Sequence, residues 1–150
     1  MSSALLFPGQ GSQKVGMGQE LAQAFPAARE VFQEADEILG FSLSRMAWEG
    51  PGEDLTLTKN AQPALLVHSV AVHRVIGEEL GVVVVAAGHS LGEFSAHVAA
   101  GTLGFGDALE AVRTRGELMF ASGVERPGTM AAVLGLDDEI VDGVCRKVQG

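Results

Sequence analysis

The sequence predicts an α/β fold built on a helix-flanked parallel sheet. Three observations carry that expectation. The run "VVVVAA", Val82 to Ala87, is continuous and β-branched, the pattern of a central strand covered on both faces. The shorter apolar run Ala4 to Phe7 stops at Pro8-Gly9, so it has the length of a strand and not of a helix. Segments of helical period lie between and after these runs, and strands alternating with helices imply parallel pairing.

Taken in order, the strand Ala4 to Phe7 feeds the glycine-rich turn "PGQGSQ". Pro26 then opens a helix with Val31, Phe32, Ala35, Ile38 and Leu39 on one face, closed by Gly40 where a left-handed cap is wanted. Residues 49–62, "EGPGEDLTLTKNAQ", have turn composition and read as a surface connection. Pro63 to Leu80 reads as a long helix, apolar nearly all round through Val72, and Gly81 ends it. After the valine strand a helix follows Ser90 to about Ala100, stopped by Gly101. Asp107 reads as the N-cap of another reaching about Ser122. "GVERPGT", residues 123–129, is a boundary. Met130 to Leu136 is expected as a strand, and Asp137 to Val148 as a helix with three acids in its first turn.

Composition removes several functions. The chain has 150 residues, 47% hydrophobic and 19% charged, enough to bury one modest core. Its net charge of -9 repels nucleic acid and anionic lipid, so an anionic substrate must be caught by a local cation. No apolar run approaches the roughly 20 residues a membrane span needs, and no secretory pattern opens the chain, so the expectation is a cytoplasmic protein. A single cysteine, Cys145, forms no internal disulfide and reads as a small apolar helix residue. The four histidines show no zinc spacing.

The chemistry centres on "AAGHSLGEF", residues 86–94. A strand, then Gly88-His89-Ser90-Leu91-Gly92, then a helix is the arrangement of a nucleophile elbow, which presents a serine at the C-terminal end of a strand. The two glycines let strand and helix crowd the turn, and the helix N-terminus offers N–H groups to an anionic intermediate. The alternative is a Ser90 that only caps a helix. The first glycine-rich turn lacks both the Gly-x-Gly-x-x-Gly and the Gly-Lys-Ser/Thr patterns of nucleotide loops, but it can present Gln10 and its N–H at a neighbouring strand end.

On the helix from Asp107, advancing about 100° per residue from Val112 places Ala108, Leu109, Ala111, Leu118 and Met119 on one apolar arc, and Arg115 falls inside it. Glu110, Arg113, Thr114 and Glu117 share the solvent side, where Arg113 and Glu117 can pair. A guanidinium on an apolar face needs an anion: either a substrate carboxylate gripped bidentately, or a distant acid, unless the stem snorkels out. Glu93 and His97 can pair one turn apart, and His68 and His73 read as satisfied core histidines. In an extended segment His89 points away from Ser90, which makes it a poor base.

With these residues in place, the chain resembles the N-terminal half of the malonyl-CoA:acyl carrier protein transacylases and the acyltransferase domains of fatty-acid and polyketide synthases. "LLFPGQGSQKVGMG", "NAQPALLVHSVAV", "GHSLGE", "RTRGELM" and "GTMAAVLGL" resemble family motifs, in order along the chain. The resemblance implies an α/β-hydrolase-like core over residues 1–128, incomplete, and the start of a small ferredoxin-like subdomain over 129–150. It implies Ser90 as the malonylated nucleophile, the backbone N–H groups of Gln10 and Leu91 as an oxyanion hole, Arg115 as the partner of the malonyl carboxylate, and Gln10 and His89 beside the substrate. Leu91 also resembles malonyl-selective members. No metal or cofactor is implied; malonyl-CoA is the substrate, and the phosphopantetheine thiol of an acyl carrier protein is the acceptor. The family's general-base histidine lies in a second half that this sequence does not contain, so the expectation is a partial chain whose activity alone is impaired by roughly 10²- to 10⁴-fold. A serine hydrolase, or a non-catalytic fragment completing another chain, are the competing functions.

Overall fold

The structure is a computed structural model and describes residues 2–128, 131 and 133–148. Strand β1 (Ser2–Phe7) is followed by helices α1 (Gln19–Ala24), α2 (Pro26–Leu39), α3 (Leu43–Glu49), α4 (Gly52–Thr56) and α5 (Thr58–Ile76). A single 3₁₀ turn, Gly77–Leu80, precedes strand β2 (Val82–Gly88). Helices α6 (Gly92–Ala99), α7 (Phe105–Glu125) and α8 (Asp138–Cys145) complete it. The class is α/β, with a two-stranded parallel sheet and mostly helices. Register runs from Ser2 opposite Val82 to Phe7 opposite Gly88, with one irregularity after Ser3 that leaves Val84 as the extra residue. Both strands therefore end at the same level. The two glycine-containing turns leave the sheet side by side.

Helix α2 follows the sequence closely: Pro26 occupies its first position, and Gly40 closes it at φ 71 with its N–H on Asp36 O. Its buried face, Val31, Phe32 and Ala35, meets Leu65, Leu66 and Val67 of α5 and Leu109 and Val112 of α7 in one cluster. The core is thus helix on helix, not helix on sheet. That corrects the expectation of a strand covered on both faces: Val82 and Val84 are 68% and 66% exposed, and Val83 and Val85 are exposed as well. Among the described elements α6 is the helix in closest contact with the sheet, and it begins only where β2 ends.

Residues 49–62 are not simply a surface connection. Helix α4 lies within them, and α5 begins at Thr58, five residues before the expected start. Pro63 marks a different feature. It has no N–H to donate to Lys59 O four residues back, and that freed carbonyl instead accepts Arg113 Nη1 from α7 at 2.9 Å. A tertiary partner replaces the missing helical bond, so the helix continues through its proline.

Helix α7 begins at Phe105 with Gly104 as its cap, and Asp107 sits inside the first turn without capping it. Helix α8 carries Asp137 at its N-cap but buries no residue, and Cys145 is exposed, contrary to its expected apolar packing. The strand expected over Met130 to Leu136 falls partly outside the described residues. Ala131 and Val133 to Leu136, which are described, form no strand.

Candidate active site

Ser90 lies two residues beyond the end of β2 and holds φ 55, the one positive φ of a non-glycine residue among those described. A serine in the left-handed region is strained by about 1 kcal/mol or more and persists only where its surroundings fix it. They do so through the glycines. A Cβ on Gly88 would overlap the Gly92 carbonyl, and a Cβ on Gly92 would stand 2.5 Å from Phe7 O and 2.8 Å from Pro8 O. The elbow is therefore packed backbone to backbone against the end of β1. His89 N–H donates to Phe7 O at 3.0 Å, while Gly92 and Glu93 donate back to His89 O and Ser90 O.

The second turn interlocks with the first. A Cβ on Gly9 would run into the His89 ring, so the imidazole lies over Gly9. It makes no hydrogen bond to Ser90 among the described residues. Gln10 is next in the chain, and its side-chain Nε2 donates to Thr58 Oγ1 at 3.0 Å, which ties the turn to the first residue of α5. Leu91 is fully buried at its side chain. The backbone N–H groups of Gln10 and Leu91 have no acceptor among the described residues.

Arg115 reaches this elbow from α7. Its Nη2 donates to Ser90 Oγ at 2.9 Å, and its Nη1 donates to Gln62 Oε1 of α5. No carboxylate pairs with it among the described residues, where the four ion pairs engage Arg45, Arg74, Arg113 and Arg146. The apolar arc that contained it divides in two. Ala108, Leu109 and Val112 are buried, whereas Ala111, Leu118 and Met119 are exposed and line an open groove with Arg115. The guanidinium thus lies at the boundary of core and groove, with Asp107 and Glu110 along the same groove but neither in ion-pair contact with it. Fixed cations with spare donors can fork onto a carboxylate.

Arg113 departs from the expected solvent face. It pairs with Glu117 at 2.6 Å, yet its side chain is only 22% exposed, lies over the Phe41 ring and donates to Lys59 O and Asn60 Oδ1. His97 Nδ1 pairs with Thr102 Oγ1 at 2.9 Å, not with Glu93. His68 and His73 are half-buried, and His68 Nδ1 is buried with no partner among the described residues, so it is not the satisfied core histidine expected. Burial holds the His68 imidazole below its ordinary pKa, and the nearby Lys14 charge pushes the same way. Among the described residues no group of three metal-ligating side chains comes together, and no helix is long and apolar enough to cross a membrane.

Gln62 escaped the sequence reading. Its signal was present: a polar residue in an otherwise apolar stretch, "AQPALLV", the same anomaly that singled out Arg115. Its position one residue before Pro63, where the sequence predicts the helix to begin, places it in the expected loop and hides that signal.

The acyl transferase domain family matches residues 4–145. A malonyl CoA-acyl carrier protein transacylase from Bacillus subtilis (strain 168) is 53% identical over 145 residues, covering 97% of this chain and 46% of the relative. An acyl-carrier-protein-S-malonyltransferase from Bartonella henselae, of solved structure, is 45% identical with a TM-score of 0.86, covering 98% of this chain and 48% of the other. A malonyl-transacylase solved in complex with a type II polyketide-synthase acyl-carrier protein is 44% identical with a TM-score of 0.85, covering 97% and 47%. The chain spans about half the length of the relatives it matches. By its elbow, its order of elements and this match over nearly its whole length, the chain belongs to the acyl transferase domain family.

Proposed function

We propose that the full-length protein transfers a malonyl group from malonyl-CoA to the phosphopantetheine thiol of an acyl carrier protein, through a malonyl ester on Ser90. The observation that carries this reading is the 2.9 Å hydrogen bond from Arg115 to Ser90 Oγ, with no acid neutralising the arginine among the described residues. A nucleophile beside a free, fixed guanidinium suits an acyl group that ends in a carboxylate.

In the first half-reaction Ser90 Oγ attacks the thioester carbonyl and loses its proton to a base. The carbon–sulfur bond breaks, and coenzyme A departs as the thiol, taking that proton. In the second, the carrier thiol gives its proton to the base and attacks the serine ester, the ester carbon–oxygen bond breaks, and Oγ takes that proton back. The unpaired N–H groups of Gln10 and Leu91 receive the oxyanion each time. Gln10 and His89 border the substrate, and no metal or further cofactor is needed. The resemblance puts the general-base histidine in the family's second half. The same reading assigns residues 1–128 to an α/β-hydrolase-like core and 129–150 to the start of a ferredoxin-like subdomain, in a cytoplasmic enzyme.

Incubation of the full-length protein with malonyl-CoA should add one malonyl mass to a peptide containing Ser90, and carrier protein should discharge it. Label on any other residue, or steady release of free malonate unaffected by carrier protein, would overturn the assignment in favour of another site or a hydrolase.

A further inference from the structure

We propose that Gln62 is a positioning residue that sets selectivity for carboxylate-bearing acyl groups by fixing the guanidinium plane of Arg115 without cancelling its charge. The proposal rests on the function given above. Gln62 is 0% exposed, and a buried primary amide is tolerated only when its polar ends are engaged. Its Oε1 accepts from Arg115 Nη1, and its Nε2 donates to Met119 Sδ at 3.3 Å, so both partners lie on α7 one turn apart.

The helix that carries Gln62 is itself fixed against α7. A Cβ on Gly116 would come within 2.9 Å of Lys59 Cα and 3.0 Å of Thr58 O, so the two helices touch at backbone distance. Arg113 closes the same contact on Lys59 O. With Nη1 held by Gln62 and Nη2 by Ser90, both terminal nitrogens of the guanidinium are anchored beside the nucleophile. An arginine carries several rotatable bonds, and without the amide its tip would sample many orientations.

The chemical identity of the acceptor matters as much as its position. A glutamate here would hold Arg115 equally well, but it would satisfy the charge that a substrate carboxylate is meant to satisfy. A neutral amide oxygen orients the cation and leaves it available.

Acylation of Ser90 by malonyl-CoA and by acetyl-CoA separates this role from a structural one. In full-length protein Gln62→Glu should lower the malonyl rate by about 100-fold, and Gln62→Met by about 10-fold, with acetyl acylation changed by less than about threefold. In an Arg115→Ala background Gln62→Met should have no further effect on malonyl transfer. Equal losses with both thioesters, or additive losses in the double variant, would overturn the proposal. Should Gln62→Glu fail to fold, the near-isosteric Met variant decides. Absence of malonylation in the unsubstituted protein would instead sink the functional reading, and titration with free malonate would then decide the role of Gln62: unchanged affinity in Gln62→Glu counts against it.

Discussion

Arg115 Nη2 stands 2.9 Å from Ser90 Oγ, a contact that joins two residues 25 positions apart and two separate helix–turn units. The partner of the serine hydroxyl among the described residues is thus a cation and not an imidazole. In Arg115→Ala, kcat/KM for malonyl-CoA should fall by about 100-fold or more, while that for acetyl-CoA holds or rises. Steady-state kinetics with both thioesters provide the check, and a parallel loss with both would remove Arg115 from substrate selection.

The positive φ of Ser90 has a thermodynamic counterpart. Glycine adopts φ 55 without steric cost, so Ser90→Gly should raise stability by about 0.5–1 kcal/mol while abolishing acylation. Urea denaturation of the two proteins measures it. A destabilised glycine variant would mean that the elbow does not store strain at this residue.

Two glycines of α7 should respond in opposite directions to alanine. Gly116 faces Lys59 and Thr58 at backbone distance, so Gly116→Ala must separate α7 from α5 and should cost about 2–3 kcal/mol. Among the described residues nothing lies within 4 Å of a Cβ on Gly123, and Gly123→Ala should stabilise the helix by up to about 1 kcal/mol. Thermal unfolding of the pair tests the geometry, with malonyl transfer expected to fall in the first variant only.

His68 makes stability depend on pH. Its pKa in the fold is lowered, chiefly by burial and secondly by Lys14, so below the ordinary imidazole value the unfolded chain binds a proton that the folded chain refuses. Stability is therefore complete above that value and declines as pH falls from it toward the lower folded pKa. Replacement by Gln should flatten the difference between urea midpoints at pH 7.5 and pH 5.5; an unchanged difference would assign it to other groups.

Local chemistry was the most legible part of the molecule. Pro26 and Gly40 bound α2 because proline at a first position and glycine at a cap act within one turn, and the glycines around Ser90 announced a crowded turn whatever surrounded it. Features decided by distant partners were not legible. Pro63 looked like a helix start because the sequence does not show that Arg113, fifty residues later, takes the carbonyl the proline releases. Burial of the valine strand was inferred from β-branched residues, which describe how a side chain suits a pleated surface; whether a helix covers that surface depends on where α6 begins. Arg115 was found as an anomaly on its helix, but its neutral partner Gln62 belongs to another segment, and pattern within one helix cannot identify it.

The interlock of the two strand-end turns also reaches into how activity is acquired. Gly9 makes room for His89, Gly92 for Phe7 and Pro8, so neither turn takes its final shape until β1 and β2 are paired across about eighty intervening residues. Ser90 can be synthesised, and its helix can form, well before the two turns have met. Under the proposed function, reactivity at Ser90 followed during refolding should therefore appear late, once β1 and β2 have paired.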